Sequence, residues 1–380
     1  MEALDLHTGP DLPPKTDYGI GCIGAGFIMK DIHLVAYGEA GFNVVAIASR
    51  TPAHAQAAAD ERGVETVYDT WQELLDDERV EILDIAYPPD QQLGIIREAV
   101  KRPHIKGILA QKPVAFTLDE AVEIVRLCDE AGIKLGVNHN MRYDQSMRAL
   151  KTVLQRGYLG EPVIASIDMR AIPHWQPFLE AYDRLTLLNM SIHHIDVFRY
   201  LFGDPERVVA SVRTDPRTKF RHSDGIAIYI FEYANGLRAM SLDDVWAWPG
   251  EGTEKDLYIR WRVEGTEGMA KGTIGWPSYP VPTPSTIDFT TRRKPGYWFL
   301  PRWNTVWFPD AFSGTMAQLM CAVEENAVPE IDGEDNLKTM AAVDACYLSA
   351  REGRAVTLAE VMKVVPTSGQ GSSTSRRSSP

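Results

Sequence analysis

The run Gly24-Ala25-Gly26-Phe27-Ile28-Met29 is the first place in this chain where residue types and spacing point to chemistry. Gly24 permits a tight strand-to-helix turn, and Gly26 lets the backbone approach a pyrophosphate at a helix N-terminus. Phe27 and Ile28 belong to the same cradle, and Tyr18–Ile23 supplies the apolar strand before it. A literal G-x-G-x-x-G at Gly19, Gly21 and Gly24 is a decoy, because it would put the turn inside that strand. Met29 stands where glycine or alanine is usual, so the helix must pack against the strand in a different way. At the end of the second strand, Ala48-Ser49-Arg50-Thr51 holds no carboxylate. A carboxylate there would bond the ribose 2′-hydroxyl and repel a 2′-phosphate. Ser49 and Arg50 suit that phosphate; Arg50 serves equally well as an adenine-stacking residue or a solvated helix entry. The expected cofactor is therefore NAD or NADP, with a lean to NADP.

Further candidates sit near other strand ends. Pro88-Pro89 follows an apolar run on what should be the same side of the sheet. Asn138-His139-Asn140-Met141-Arg142-Tyr143 leaves the last strand of the first domain. His139 and Arg142 either line a cleft or form an ordinary capped helix entry. His174-Trp175 ends a strand, and the Trp175 indole either stacks on a sugar face or packs in the core. Trp303, Trp307 and Phe308 could form a lid or an oligomer contact, though core packing is the expectation for most of them. His193-His194 is no metal pair, since adjacent helical side chains diverge and no ligand set accompanies them.

These residues need elements to hold them. Strand-like runs at Tyr18–Ile23, Asn43–Ala48, Ile82–Ala86, Gly107–Ala110 and Lys134–Val137 alternate with helical segments Pro52–Arg62, Gln91–Val100 and Leu118–Ala131. That alternation predicts an α/β domain, a doubly wound parallel sheet over residues 18–140, after an extension at 1–17. Residues 141–366 predict a second, α+β domain with an open-faced, mostly antiparallel sheet. Its expected helices are Asp144–Gln155, Asn189–Leu201, Asp310–Glu325 and Asn336–Arg351. Its expected strands are Val163–Ala171, Val208–Arg213, Ile226–Tyr233, Leu237–Leu242 and Tyr258–Val263, with Gly272–Pro309 loop-rich. Residues 367–380 are almost all Ser, Thr, Gly, Arg and Pro, so this tail should be disordered.

Bulk properties exclude several classes. A net charge of −13 argues against nucleic acid as a partner, which would need a basic surface. No apolar run reaches membrane-spanning length. Four scattered cysteines, Cys22, Cys128, Cys321 and Cys346, fit a reducing compartment, and the acidic, proline-containing start is unlike a signal peptide. The expectation is a cytoplasmic protein.

Four segments together resemble the glucose-fructose oxidoreductase/inositol dehydrogenase/rhizopine-catabolism family, over Tyr18 to Val365. They are Gly24-Ala25-Gly26; Trp71-Gln72-Glu73-Leu74-Leu75; Gln111-Lys112-Pro113, against the family's Glu-Lys-Pro; and Asn189-Met190-Ser191-Ile192-His193-His194-Ile195-Asp196, against Asp-x-Gly-x-His-x-x-Asp. The resemblance implies a Rossmann domain, an open-faced second sheet, homodimers or homotetramers, and hydride transfer on a carbohydrate, cyclitol or glycoside. It implies that Lys112 is the active-site lysine, near both cofactor and substrate, with Pro113 fixing its turn through a cis bond. It implies that His193 is the catalytic histidine and that Asn189 holds the place of an aspartate. Spacing of i, i+4 puts Asn189 and His193 on one helix face. The chain departs from the pattern at Asn189, Gln111 and Gln92, where histidine is frequent. Two other functions stay open: a glycosidase-like cycle on tightly bound NAD, and a non-catalytic sensor.

Overall fold

In the computed structural model, which describes residues 6–171, 177–245, 257–275 and 281–363, the short apolar runs of the first third pair side by side. They form β1 (Ile20–Ile23), β2 (Val44–Ala48), β3 (Thr66–Tyr68), β4 (Ile82–Ile85), β5 (Gly107–Ala110) and β6 (Lys134–Val137). The order is β3-β2-β1-β4-β5-β6, and every pair is parallel. β1, β4 and β5 are buried at every residue, which is why they read as continuous apolar runs and not as alternation.

Helices α1 (Leu34–Ala40), α2 (Pro52–Arg62), α3 (Trp71–Leu75), α4 (Pro89–Ala99) and α5 (Leu118–Ala131) flank this sheet. Local chemistry starts several of them. Thr70 with Glu73 and Thr117 with Glu120 form capping boxes that satisfy the free amides opening α3 and α5. Pro89 begins α4, where its missing N–H costs nothing. Ahead of α1 lies a π-helical turn, Ile28–His33, carrying the buried Met29. The helix after the glycine turn is thus wound wider in the stretch where a larger side chain replaces glycine.

The second sheet has eight strands: β7 (Pro162–Arg170), β8 (Arg207–Arg213), β9 (Ile226–Glu232), β10 (Arg238–Asp244), β11 (Tyr258–Gly265), β12 (Gly268–Ile274), β13 (Thr286–Thr291) and β14 (Val356–Thr357). Their order is β13-β12-β11-β7-β10-β9-β8-β14, antiparallel except for β7 with β10. Four longer helices belong to this half: α6 (Gln145–Gln155), α7 (Ile192–Phe202), α8 (Ala311–Glu325) and α9 (Gly333–Glu352). One sheet face packs on this layer and the other is open.

The segment Gly272–Pro309, expected to be loop, holds the end of β12 and all of β13. The β12 signal is weak because packing demands glycine: a Cβ on Gly272 would lie 1.9 Å from the Thr286 carbonyl oxygen and 2.4 Å from the Trp261 ring. β12, built on Gly268, Ala270 and Gly272, lacks most of the branched side chains that mark strands in sequence, whereas β13 (Thr-Ile-Asp-Phe-Thr-Thr) carries them inside a proline-rich stretch that masks it. The two halves also share helices. α8 packs on β5, where Gly107 leaves room for Leu319 and Val323. In the stretch before α9, the Ile331 carbonyl accepts the Val137 N–H at 2.8 Å. The extension is tied down too: Thr152 and Arg148 of α6 donate to the Leu6 and Gly9 carbonyls. His174, Trp175 and the tail Thr367–Pro380 lie outside the described residues. No helix among the described residues is long and apolar enough to cross a membrane.

Candidate active site

The strand order reverses between β1 and β4, and ligands of doubly wound sheets bind beyond the carboxyl ends of the strands at that point. A cavity of about 310 Å³ opens there. Gly26, Phe27 and Ile28 line it after β1, Ala86 to Pro89 after β4, Gln111 to Pro113 after β5, and Asn140 after β6. The other half closes it with Asn189, Met190, His193, Trp307, Phe308 and Phe312.

The glycine turn fits a dinucleotide. Gly24 has φ +116°, and a Cβ there would meet the Ala86 carbonyl oxygen at 2.6 Å. Gly26 has nothing within 4 Å of where its Cβ would be, so its backbone faces open space at the start of the helical turn. Ser49 and Arg50 follow β2 outside this cavity, half-buried and exposed respectively. The cavity-lining Tyr87 touches the Arg50 backbone, which links the two stretches.

Lys112 is held by an amide clamp. Gln92, buried on α4, donates its side-chain nitrogen to the Gln111 and Pro113 carbonyls, both at 2.9 Å. Its oxygen accepts the Gln111 N–H at 2.9 Å. The Lys112 N–H donates to Gln111 Oε1 at 2.9 Å, and the Lys112–Pro113 peptide is cis. Both departures from the family pattern on this side, Gln92 and Gln111, thus build the lysine's turn. From it, Lys112 Nζ reaches across to the Asn189 carbonyl at 2.8 Å. Burial of the amine brings its pKa down to about 7.

Asn189 lies in a π-helical turn, Thr186–Ser191, that runs directly into α7. Buried Asp224 anchors the entry, accepting from the Leu185 and Leu187 amides at 2.8 Å each and from the Tyr347 hydroxyl. Asn189 and His193 both reach the cavity wall, while His194 turns into the protein and bonds Asp243 at 2.9 Å. His193 Nδ1 is buried without a hydrogen-bond partner among the described residues. Burial, and then the charges of Lys112, His139 and His194, hold its pKa well below the usual imidazole range. Trp307 meets the His193 ring edge-on at 5.7 Å, and its indole N–H donates to Asn140 Oδ1 at 2.9 Å.

Of the two alternatives for Arg142 and His139, cleft or helix entry, the cavity lining includes neither residue. Arg142 is buried and its guanidinium grips Asp196 through two bonds of 2.7 and 2.6 Å. It also bonds the Glu330 carbonyl and Asp335. His139 is equally buried, with Nε2 2.6 Å from Asn336 Oδ1. Trp307, expected in the core, a lid or an oligomer contact, is instead cavity wall. Asn140, Gln92 and Gln111 stand in segments the sequence singles out, but without a role of their own; Tyr87 and Phe312 carry no sequence signal for the site, because single aromatic residues have no spacing of their own.

Comparison with known proteins agrees with this arrangement. A profile described as "Oxidoreductase family, NAD-binding Rossmann fold" matches residues 18–139, and one described as "Oxidoreductase family, C-terminal alpha/beta domain" matches residues 151–358. The chain belongs to this family, that of glucose-fructose oxidoreductase, inositol dehydrogenase and the rhizopine-catabolism proteins. A D-apiose dehydrogenase of Paraburkholderia graminis is 27% identical over 352 residues, 90% of each chain. A D-xylose 1-dehydrogenase (NADP(+)) of Haloferax volcanii is 26% identical over 346 residues, 89% of this chain and 99% of the relative. An Agrobacterium radiobacter oxidoreductase, solved with NAD+, L-tartaric acid and magnesium, superposes with a TM-score of 0.77 at 25% identity. That match covers 91% of this chain and 99% of the other.

Proposed function

We propose that the protein is an NAD(P)-dependent dehydrogenase that oxidises a hydroxyl-bearing carbon of a sugar, cyclitol or glycoside. The observation that carries this reading is one cavity walled by the glycine cradle, Lys112, Asn189 and His193. Gly24, Gly26, Phe27 and Ile28 would hold the pyrophosphate, with Pro88 and Lys112 toward the nicotinamide and Ser49 and Arg50 toward the adenosine. When bound, the coenzyme supplies the hydride acceptor. The chain supplies the proton chemistry. His193, neutral at physiological pH, takes the hydroxyl proton, and Lys112 in its cationic form stabilises the developing alkoxide. Asn189 orients both, through its carbonyl on Lys112 and its place one turn before His193.

The names of the apiose and xylose relatives favour a dehydrogenase over a transient-oxidation glycosidase or a sensor. For the coenzyme, the missing carboxylate at Ser49 leaves room for a 2′-phosphate, so NADP should at least be tolerated. A panel of sugars, inositols and glycosides, read by absorbance of reduced nicotinamide with each coenzyme, tests both points. Net reduction with at least one substrate is expected. A panel that yields products without net reduction would favour the glycosidase-like cycle, and failure of NADP to support turnover would reverse the coenzyme reading.

A pH profile tests the division of roles. Oxidation should fall on the acid side as His193 becomes protonated, and above about pH 7 as Lys112 loses its proton. Asn189→Asp adds a carboxylate that favours both cations, so both limbs should move to higher pH. Limbs that stay in place would remove Asn189 from the site.

The open sheet face carries the half-exposed Ile164, Val209, Ile228, Ile230 and Met240 on neighbouring strands, rimmed by Arg207, Glu232, Arg238 and Arg262. We propose that a second copy covers it, as dimer or tetramer. Sedimentation at a multiple of 42.4 kDa is the expected result, and a monomer would refute it.

A further inference from the structure

The turn Ile28–His33 begins at the coenzyme cradle and ends on a histidine that faces away from the cavity. His33 is fully buried. Its Nδ1 lies 2.7 Å from Asp84 Oδ2 on β4, and the same oxygen accepts the Tyr37 hydroxyl at 2.6 Å. A carboxylate can only accept, so Nδ1 donates to it, and the amide nitrogens that face Nε2 make that nitrogen the acceptor. Two amide nitrogens face Nε2: Asn138 Nδ2 after β6, at 3.1 Å, and Gln111 Nε2 after β5, at the longer distance of 3.5 Å. With its nitrogen turned to His33, the Gln111 amide presents its oxygen to the Lys112 N–H at 2.9 Å.

We propose that His33 is a positioning residue for Lys112, acting through the Gln111 amide, and that it ties the coenzyme-cradle turn to the catalytic lysine. A purely structural role explains the cluster poorly. Oδ1 of Asp84 and Oδ1 of Asn138 are buried without partners among the described residues, so the network leaves unmet a polar cost that an apolar core would avoid. Orientation explains it: an acceptor at His33 Nε2 and the Lys112 N–H donor together select one orientation of the Gln111 amide, the one that turns its oxygen to the Lys112 backbone. The chain of contacts also crosses three strand ends and the cradle turn, the elements that must agree for hydride acceptor and lysine to meet one carbon. The inference rests on the dehydrogenase reading with Lys112 in the site.

The test compares His33→Phe, Gln111→Leu, the double variant and His33→Gln, which restores an acceptor, in the full chain. Turnover and KM are measured on an alcohol found active in the panel, with coenzyme affinity from tryptophan quenching. Each of the first two variants should lower kcat about ten- to a hundredfold by displacing Lys112, with coenzyme Kd changed less than about twofold. The double variant should be no worse than the weaker single one, because both break one chain. His33→Gln should recover most of the loss. Multiplying losses in the double variant, or weakened coenzyme binding at unchanged kcat, would overturn the inference. If His33→Phe does not fold, Gln111→Leu decides, because Gln111 is only half-buried: unchanged kcat in that variant refutes the proposal. A Lys112→Met control with full turnover would instead refute the underlying reading of the site.

Discussion

Lys112→Met and His193→Ala should each lower turnover by roughly 10²–10⁴, the usual loss for a positioned proton-transfer or charge-stabilising group. In the proposed mechanism the two side chains address one hydroxyl, Lys112 from the clamped turn after β5 and His193 from α7, both lining one cavity. Coenzyme affinity should change little, because the pyrophosphate and adenosine would be held by the cradle at Gly24–Ile28 and near Ser49 and Arg50. Lys112→Arg sharpens the test. Arginine keeps the charge but cannot lose its proton. If that variant retains activity, the fall above about pH 7 assigned to Lys112 should disappear. Single-turnover rates with saturating coenzyme separate these effects from substrate binding. Near-normal turnover in His193→Ala would leave that histidine a wall residue and send the search for the base back to Lys112 itself.

The second large effect is expected on stability, at Arg142. Its guanidinium and the Asp196 carboxylate are both buried and doubly bonded, and Asp335 and the Glu330 carbonyl complete the arginine's partners. Burial alone would raise the Asp196 pKa, but the arginine charge overrides it and holds the carboxyl below its usual range. Arg142→Leu therefore leaves a carboxylate in the interior with fewer partners, and should cost about 3–5 kcal/mol in urea unfolding. The folded fraction should keep its KM, because Arg142 is absent from the cavity wall. A stable Arg142→Leu protein with a raised substrate KM would instead return Arg142 to the substrate site.

Much of this protein follows from the chain alone. The alternation of apolar runs and helical segments predicts the first sheet, because strands buried on both faces must be apolar throughout. The glycine turn is legible because Gly24 and Gly26 meet a backbone requirement that few other residues can. Resemblance singles out Lys112 and His193, 81 positions apart along the sequence. Packing decides the rest. β12 escapes notice because the Trp261 ring and the Thr286 backbone force a glycine into the strand, and β13 because the prolines around it read as loop. Arg142 and His139 look like cleft residues because a charged side chain after a strand end reads the same whether a buried carboxylate or a ligand awaits it; only the fold brings Asp196 and Asn336 to meet them. Gln92 and Gln111 show in the sequence only as departures from a motif and His33 does not show at all; their contacts around Lys112 come from strand ends that converge in the fold. Sequence patterns record what each element needs for itself, periodicity, turns and caps, whereas partners distant in the chain are chosen by the tertiary structure that brings them within hydrogen-bonding reach.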